Sequence, residues 1–179
     1  MNQYACAITG HRPTRFCFGY NEEDPLCQKL KECLEQFRIL HDEKFVRTFF
    51  VGGALGVDMW AGEQLLTLRA QTGYEDIKIV VVVPFIGYDS KWPDQSRHRL
   101  KKLIQNANDS IVISHSADVS SYKKRNYYMV DHAEYLIGVF DNQKKLRSGT
   151  AQTVNYALHQ GKVITLIHPD TMEITAPAP

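Results

Sequence analysis

Four short segments of this 179-residue chain carry side chains suited to holding an anion. Thr9, Gly10, His11 and Arg12 join a backbone open to close approach with a guanidinium fork, which grips phosphate through parallel hydrogen bonds. Gly52, Gly53, Ala54 and Gly56 form a small-residue turn through which backbone N–H groups can meet an oxyanion, and Asp58 follows where a carboxylate can accept from a sugar hydroxyl. Ser148, Gly149 and Thr150 read as the start of a helix, with hydroxyls beside unpaired N–H groups. Arg125 and Asn126 add charge and an amide, and Asp131 lies six residues beyond Arg125. Phosphate or diphosphate on 10–12, 52–56 and 148–150, with hydroxyls on Asp58 and Asn126, is the chemistry this set suits. Each segment alone is also an ordinary turn, cap or solvated face, and Asp58 serves a helix dipole as well as a ribose. The three turns each stand just past an apolar run, at one sheet edge, and that shared placement favours one pocket.

Such turns need strands to end on and helices to begin. Runs at 4–8, 48–51, 77–83, 110–114, 135–140 and 163–167 are rich in Val, Ile, Phe and Tyr, and several are apolar throughout, as strands covered on both faces are. Between them, Leu26, Leu30, Leu34, Phe37 and Leu40 make one stripe at helical spacing, and Leu100, Leu103, Ile104 and Ala107 make another. Further helices are expected near 57–72, 121–133 and 150–159. The fold class is therefore α/β: a single doubly wound, Rossmann-like parallel sheet of about six strands flanked by helices, with expected order 3-2-1-4-5-6. Residues 1–168 form the nucleotide-binding domain and 169–179 a peripheral tail. Phe85 leaves the third run at the same sheet edge, in Pro84-Phe85-Ile86-Gly87-Tyr88, with Trp92 beyond. This loop either stacks on a base or caps the core.

Charge and composition exclude several classes. With 21 basic and 20 acidic residues, no global field attracts nucleic acid or an anionic membrane, and the basic groups Lys101-Lys102, Lys123-Lys124-Arg125 and Lys144-Lys145-Arg147 are separated. DNA is not expected as a partner. No window reaches the roughly 18 apolar residues of a membrane span, and no basic-then-apolar signal opens the chain, so a cytoplasmic location is expected. Cys6, Cys17, Cys27 and Cys33 make no Cys-x-x-Cys pair and the histidines show no metal spacing. No metal or resident cofactor is expected. Neither the dinucleotide Gly-x-Gly-x-x-Gly pattern nor the P-loop ending is present.

Thr9-Gly10-His11-Arg12-Pro13, the run from Gly52 to Ala61, Arg125 to Asp131 and Gly149-Thr150-Ala151 together resemble the YpsA-like proteins of the SLOG superfamily. That superfamily includes the DNA-processing protein A fold and the Lonely Guy (LOG) phosphoribohydrolases. The resemblance runs from about residue 4 to 167 and implies a Rossmann-like fold with a pocket for a nucleotide-derived ligand. In LOG enzymes an Arg-Lys-x-x-Met helix faces a Gly-Thr-x-x-Glu turn. Arg125 and Met129 match the first, with Asn126 for lysine, and Gly149-Thr150 the second, with Thr153 where the family has its glutamate. Threonine supplies no carboxylate, which argues against that hydrolysis unless Asp58, Asp131 or Asp141 replaces it. The reading is a cytoplasmic binder or sensor of a nucleotide, ADP-ribose or an NAD-like molecule. An N-glycosidase and a single-strand DNA module are the alternatives, and self-association into a homo-oligomer is left open.

Overall fold

The computed structural model describes residues 3–142 and 148–177. Its elements in chain order are β1 (Tyr4–Gly10), α1 (Pro25–Cys33), α2 (Gln36–Lys44), β2 (Val46–Val51), α3 (Val57–Arg69), β3 (Lys78–Phe85), α4 (Asp94–Asn106), β4 (Asp109–Ser114), α5 (Ser120–Asp131), β5 (Tyr135–Val139), α6 (Gly149–His159), β6 (Val163–Ile167) and β7 (Ile174–Thr175). A 3₁₀ turn covers Pro13–Arg15.

The sheet order is β4-β3-β2-β1-β5-β6-β7, with β1 to β6 parallel and β7 antiparallel on β6. The doubly wound α/β class expected from the apolar runs is what forms. The expected order 3-2-1-4-5-6 is corrected at one strand: β4 extends the sheet outward beyond β3, and β5 takes the place beside β1. The reason lies in the strands' own composition. Leu136, Ile137 and Val139 of β5 are buried, as a central position between helical layers demands, whereas Asp109, Ser110 and Val112 of β4 are exposed.

Alternation along β1 separates two cores. Cys6 and Ile8 join the layer of α1 to α4, with Leu30, Phe37, Phe49, Met59, Trp60 and Leu103. Ala7 joins the layer of α5 and α6, with Phe50, Val82, Met129, Val154 and Ala157. The stripe from Leu26 to Leu40 belongs to two helices rather than one. Hydrogen bonds of the tighter i→i−3 type at Glu35, Phe37 and Arg38 break α1 from α2, and Leu34 and Phe37 both stay in the core. Asp24 caps α1 by accepting from the Leu26 N–H at 2.8 Å. In the C-terminal segment, Met172 is buried and Ile174–Thr175 pair with β6. No helix among the described residues is long and apolar enough to cross a membrane.

Candidate functional site

The strand order puts a switch point between β1 and β5. The chain leaves β1 toward α1 on one face and β5 toward α6 on the other, so a crevice opens beyond their carboxyl ends. A cleft of about 420 Å³ lies there, lined from β1 and the turn after it by Thr9, Gly10, His11, Arg12, Thr14 and Arg15. Ala54 and Asp58, then Tyr122, Arg125 and Asn126 of α5, and Ser148, Gly149 and Thr150 at the head of α6 complete the wall.

Gly10 lets the strand meet α3, since a Cβ there would lie 2.5 Å from that of Val57. The α6 start is shaped by Ser148, whose Oγ accepts from the Ala151 N–H at 3.0 Å, and the Gln152 N–H bonds the Ser148 carbonyl at 3.0 Å. The N–H groups of Gly149 and Thr150 precede the first helical bond and have no acceptor within the helix. Positive dipole and helix-start donors thus face the cleft.

Three arginines reach this space in different states. Arg12 is exposed, its guanidinium 6.0 Å from the Tyr122 ring centroid. Arg15 pairs with Asp141 at 3.0 Å and Asp170 at 3.3 Å. Arg125 is buried: Nη1 donates to the Gly52 carbonyl and lies 3.3 Å from Asp58 Oδ2, while Nε has no partner among the described residues. Burial raises the Asp58 carboxyl above its ordinary range, opposed chiefly by Arg125. Burial also lowers the His11 imidazole, with Arg15 acting the same way, so a neutral ring sits beside Phe16 and Phe140. Its Nε2 is buried without a partner among the described residues.

Several sequence-derived site residues hold the walls rather than line them. A Cβ at Gly52 would run into the Arg125 guanidinium. Gly53, at φ +64°, packs beneath Tyr88, whose hydroxyl donates to its carbonyl at 2.7 Å, and Gly56, at φ +91°, packs on the His11 carbonyl. In the turn 52–56 only Ala54 faces the cleft. Phe85 stands behind the wall, edge-on to Tyr122 at 5.7 Å and to Tyr88 at 6.3 Å. Tyr88 in turn packs edge-on against Trp92, and both Tyr88 and Trp92 pack on the core beneath. Asp131 lies at the far end of α5, accepting from the Tyr156 hydroxyl at 2.7 Å, and is not brought to the cleft. Thr153 is fully buried and its hydroxyl donates to the Gly149 carbonyl at 2.7 Å. Among the described lining residues the one carboxylate is Asp58. Lys144, Lys145 and Arg147 lie outside the described residues.

Thr14, Arg15 and Tyr122 also line the cleft, beyond the set that sequence reasoning reaches. Tyr122 carries a signal, since it precedes Arg125 by three residues and Asn126 by four on one helix face. Arg15 follows Arg12 by three, but only the 3₁₀ turn shows that it returns to the same space.

Residues 6–172 match the YspA SLOG family, which covers almost all of the sheet and every element of the cleft. The chain belongs to that family. Relatives of this SLOG protein include the UPF0398 protein YpsA of Bacillus subtilis, 25% identical over 82% of this chain and 83% of the relative. The UPF0398 protein SERP1017 of Staphylococcus epidermidis is 26% identical over 77% of this chain and 73% of its own. Among solved structures, DNA processing protein A from Streptococcus pneumoniae is similar at TM-score 0.58 and 18% identity, covering 92% of this chain and 50% of that one. The same protein from Helicobacter pylori, described for its single-stranded DNA binding mode, is similar at TM-score 0.58 and 19% identity, over 91% and 64%. TM1055 aligns at TM-score 0.55 and 15% identity, over 90% and 72%. The chain thus spans half of the pneumococcal protein, and these structural likenesses concern the fold.

Proposed function

We propose that this SLOG protein is a cytoplasmic binder or sensor of a nucleotide-derived small molecule whose phosphates enter the β1/β5 crevice. The observation that carries the reading is the meeting of Arg12 and Arg15 with the N–H groups at the head of α6 that have no helical acceptor. These are two guanidinium groups and a helix N-terminus on one small space. Asn126, beside Gly149, and Thr9 would address sugar hydroxyls, and the Tyr122 ring offers an apolar wall. Binding supports regulation if the ligand prefers one arrangement of the surrounding loops over another.

The same lining favours binding over N-glycoside hydrolysis. Thr153 holds no carboxylate, its hydroxyl is engaged with Gly149, and Asp58 is paired to Arg125 inside the wall. A role in binding single-stranded DNA, as described for the Helicobacter pylori protein, needs a continuous basic track. The net charge of +1 and a cleft of mononucleotide scale argue for a small ligand instead.

The test is a thermal-shift screen of purified protein with ADP, ADP-ribose, NAD, cyclic nucleotides, pyrophosphate and a single-stranded oligonucleotide at physiological salt, with products read by mass spectrometry. Stabilisation by one nucleotide class without turnover is expected. Release of free base at enzyme-like rates, or salt-resistant binding of the oligonucleotide alone, overturns the reading.

A further inference from the structure

The two edges of the sheet are finished differently. At one, β7 closes over β6 as a short antiparallel strand. At the other, β4 has no strand beyond it among the described residues, and its six residues, Asp109–Ser114, include no lysine, proline or glycine, the one charge being Asp109 at its first position. Val112 is exposed on it, and Ile86 and Val119, among the most exposed apolar side chains of the described residues, belong to the loop after β3 and the segment after β4.

The sequence of this edge reads the same in both directions. Ser110-Ile111-Val112-Ile113-Ser114 is a palindrome about Val112, and its flanks are Asp109 and His115, an acceptor and a donor. An antiparallel pair places residues on a common face directly opposite one another. A second copy turned about a twofold axis at Val112 therefore sets Val112 against Val112, Ile111 against Ile113 and Ser110 against Ser114, and brings Asp109 toward His115, which lies in the bend just past the strand's last residue. Every pairing joins like chemistry or a donor to an acceptor. The faces agree as well, since Ile111 and Ile113 pack on the α5/α6 core while Val112 points to the other side.

The backbone already shows the vacant direction. The Ser110 N–H donates to the carboxylate of Asp109 at 2.8 Å rather than to β3. Alternation along the strand gives Val112 and Ser114 the same outward orientation, so Val112 and its copy can exchange both N–H···O bonds.

We propose that β4 is a self-pairing edge, through which two copies of this chain join their sheets into one continuous sheet about a twofold axis at Val112. The interface is isologous, as closed dimers require. It leaves the β1/β5 crevice of each copy open, because β4 and that crevice are separated by β3 and β2.

Analytical ultracentrifugation of the wild-type chain across micromolar concentrations tests this. A monomer–dimer equilibrium is expected. Val112→Lys sets two ammonium groups face to face at an exposed site and weakens the dimer about tenfold or more, with the melting curve of the monomer unchanged. Asp109→Lys alone weakens it by opposing two donors, and Asp109→Lys with His115→Asp restores it by setting a new opposite-charge pair across the axis. A wild-type chain that stays monomeric to ~100 μM, where weak specific contacts are normally populated, overturns the proposal. So does a dimer indifferent to Val112→Lys, or a double variant no stronger than Asp109→Lys.

Discussion

Arg125 fills the space that any side chain at position 52 would occupy. Its Nη1 donates to the Gly52 carbonyl, and the same nitrogen lies 3.3 Å from Asp58 Oδ2, so a residue of α5 is locked into the turn between β2 and α3. One cation thereby joins the two helical layers across the carboxyl edge of the sheet and neutralises a carboxylate that burial disfavours. The wall of the crevice depends on this contact.

Arg125→Met leaves Asp58 buried without its counter-charge, which costs about 3 kcal/mol near neutral pH. The pH sign follows from the raised Asp58 carboxyl. A carboxyl whose folded value lies above its unfolded one contributes stability at low pH and loses it as pH rises through the folded value. Removing the cation raises that value further, so the gap between variant and wild type is widest at about pH 7–8 and narrows toward about pH 4. Urea unfolding at about pH 7.5 and about pH 4.5 measures it, and a gap independent of pH contradicts the pairing.

The sequence places Gly53 in a phosphate cradle, where a side chain would block ligand without harming the fold. The tertiary structure adds a cost to the fold at the same position. A Cβ at 53 lies 2.8 Å from the Tyr88 hydroxyl in a left-handed conformation at φ +64°. Gly53→Ala should destabilise the fold by about 1–2 kcal/mol. Part of that cost should vanish in a Tyr88→Phe background, and a double-mutant cycle in denaturant reads the coupling.

Arg12 has no ion pair among the described residues, whereas Arg15 is tied to Asp141 and Asp170. Arg12→Ala should weaken pyrophosphate or nucleotide binding about tenfold with no change in melting temperature, as loss of a charge-assisted contact implies. Arg15→Ala should weaken binding and also lower stability by up to about 1 kcal/mol. Calorimetric titration beside thermal melts separates the two effects.

Away from the crevice, Glu22 accepts from Arg99 at 2.6 Å and Lys31 at 2.8 Å. Burial raises its carboxyl, but the hydrogen bonds from Arg99, Lys31 and Trp60 outweigh it and hold the group at about 2. A carboxyl lowered in this way contributes stability above its ordinary range and loses it as pH falls toward about 2. Glu22→Gln should cost about 1–2 kcal/mol near pH 7, allowing for solvent screening, and almost nothing near pH 2. Acid titrations of both proteins by circular dichroism check the convergence.

The amino-acid sequence alone determined the alternation of strands and helices and the places where they meet. Strands covered on both faces must be apolar runs, and turns that start helices must carry small and capping residues, so both are local signals. The grouping of Thr9–Arg12, Arg125–Asn126 and Ser148–Thr150 was legible for the same reason: each sits where a strand ends or on the helix that faces it. Other relationships join residues far apart in the chain. The place of β4 depended on which strand could tolerate an open edge, and the role of Gly52 depended on a guanidinium 73 residues away. Only tertiary structure decides whether a glycine receives a ligand or a neighbouring side chain. A missing Cβ leaves space, and what fills that space is set by the element packed against it.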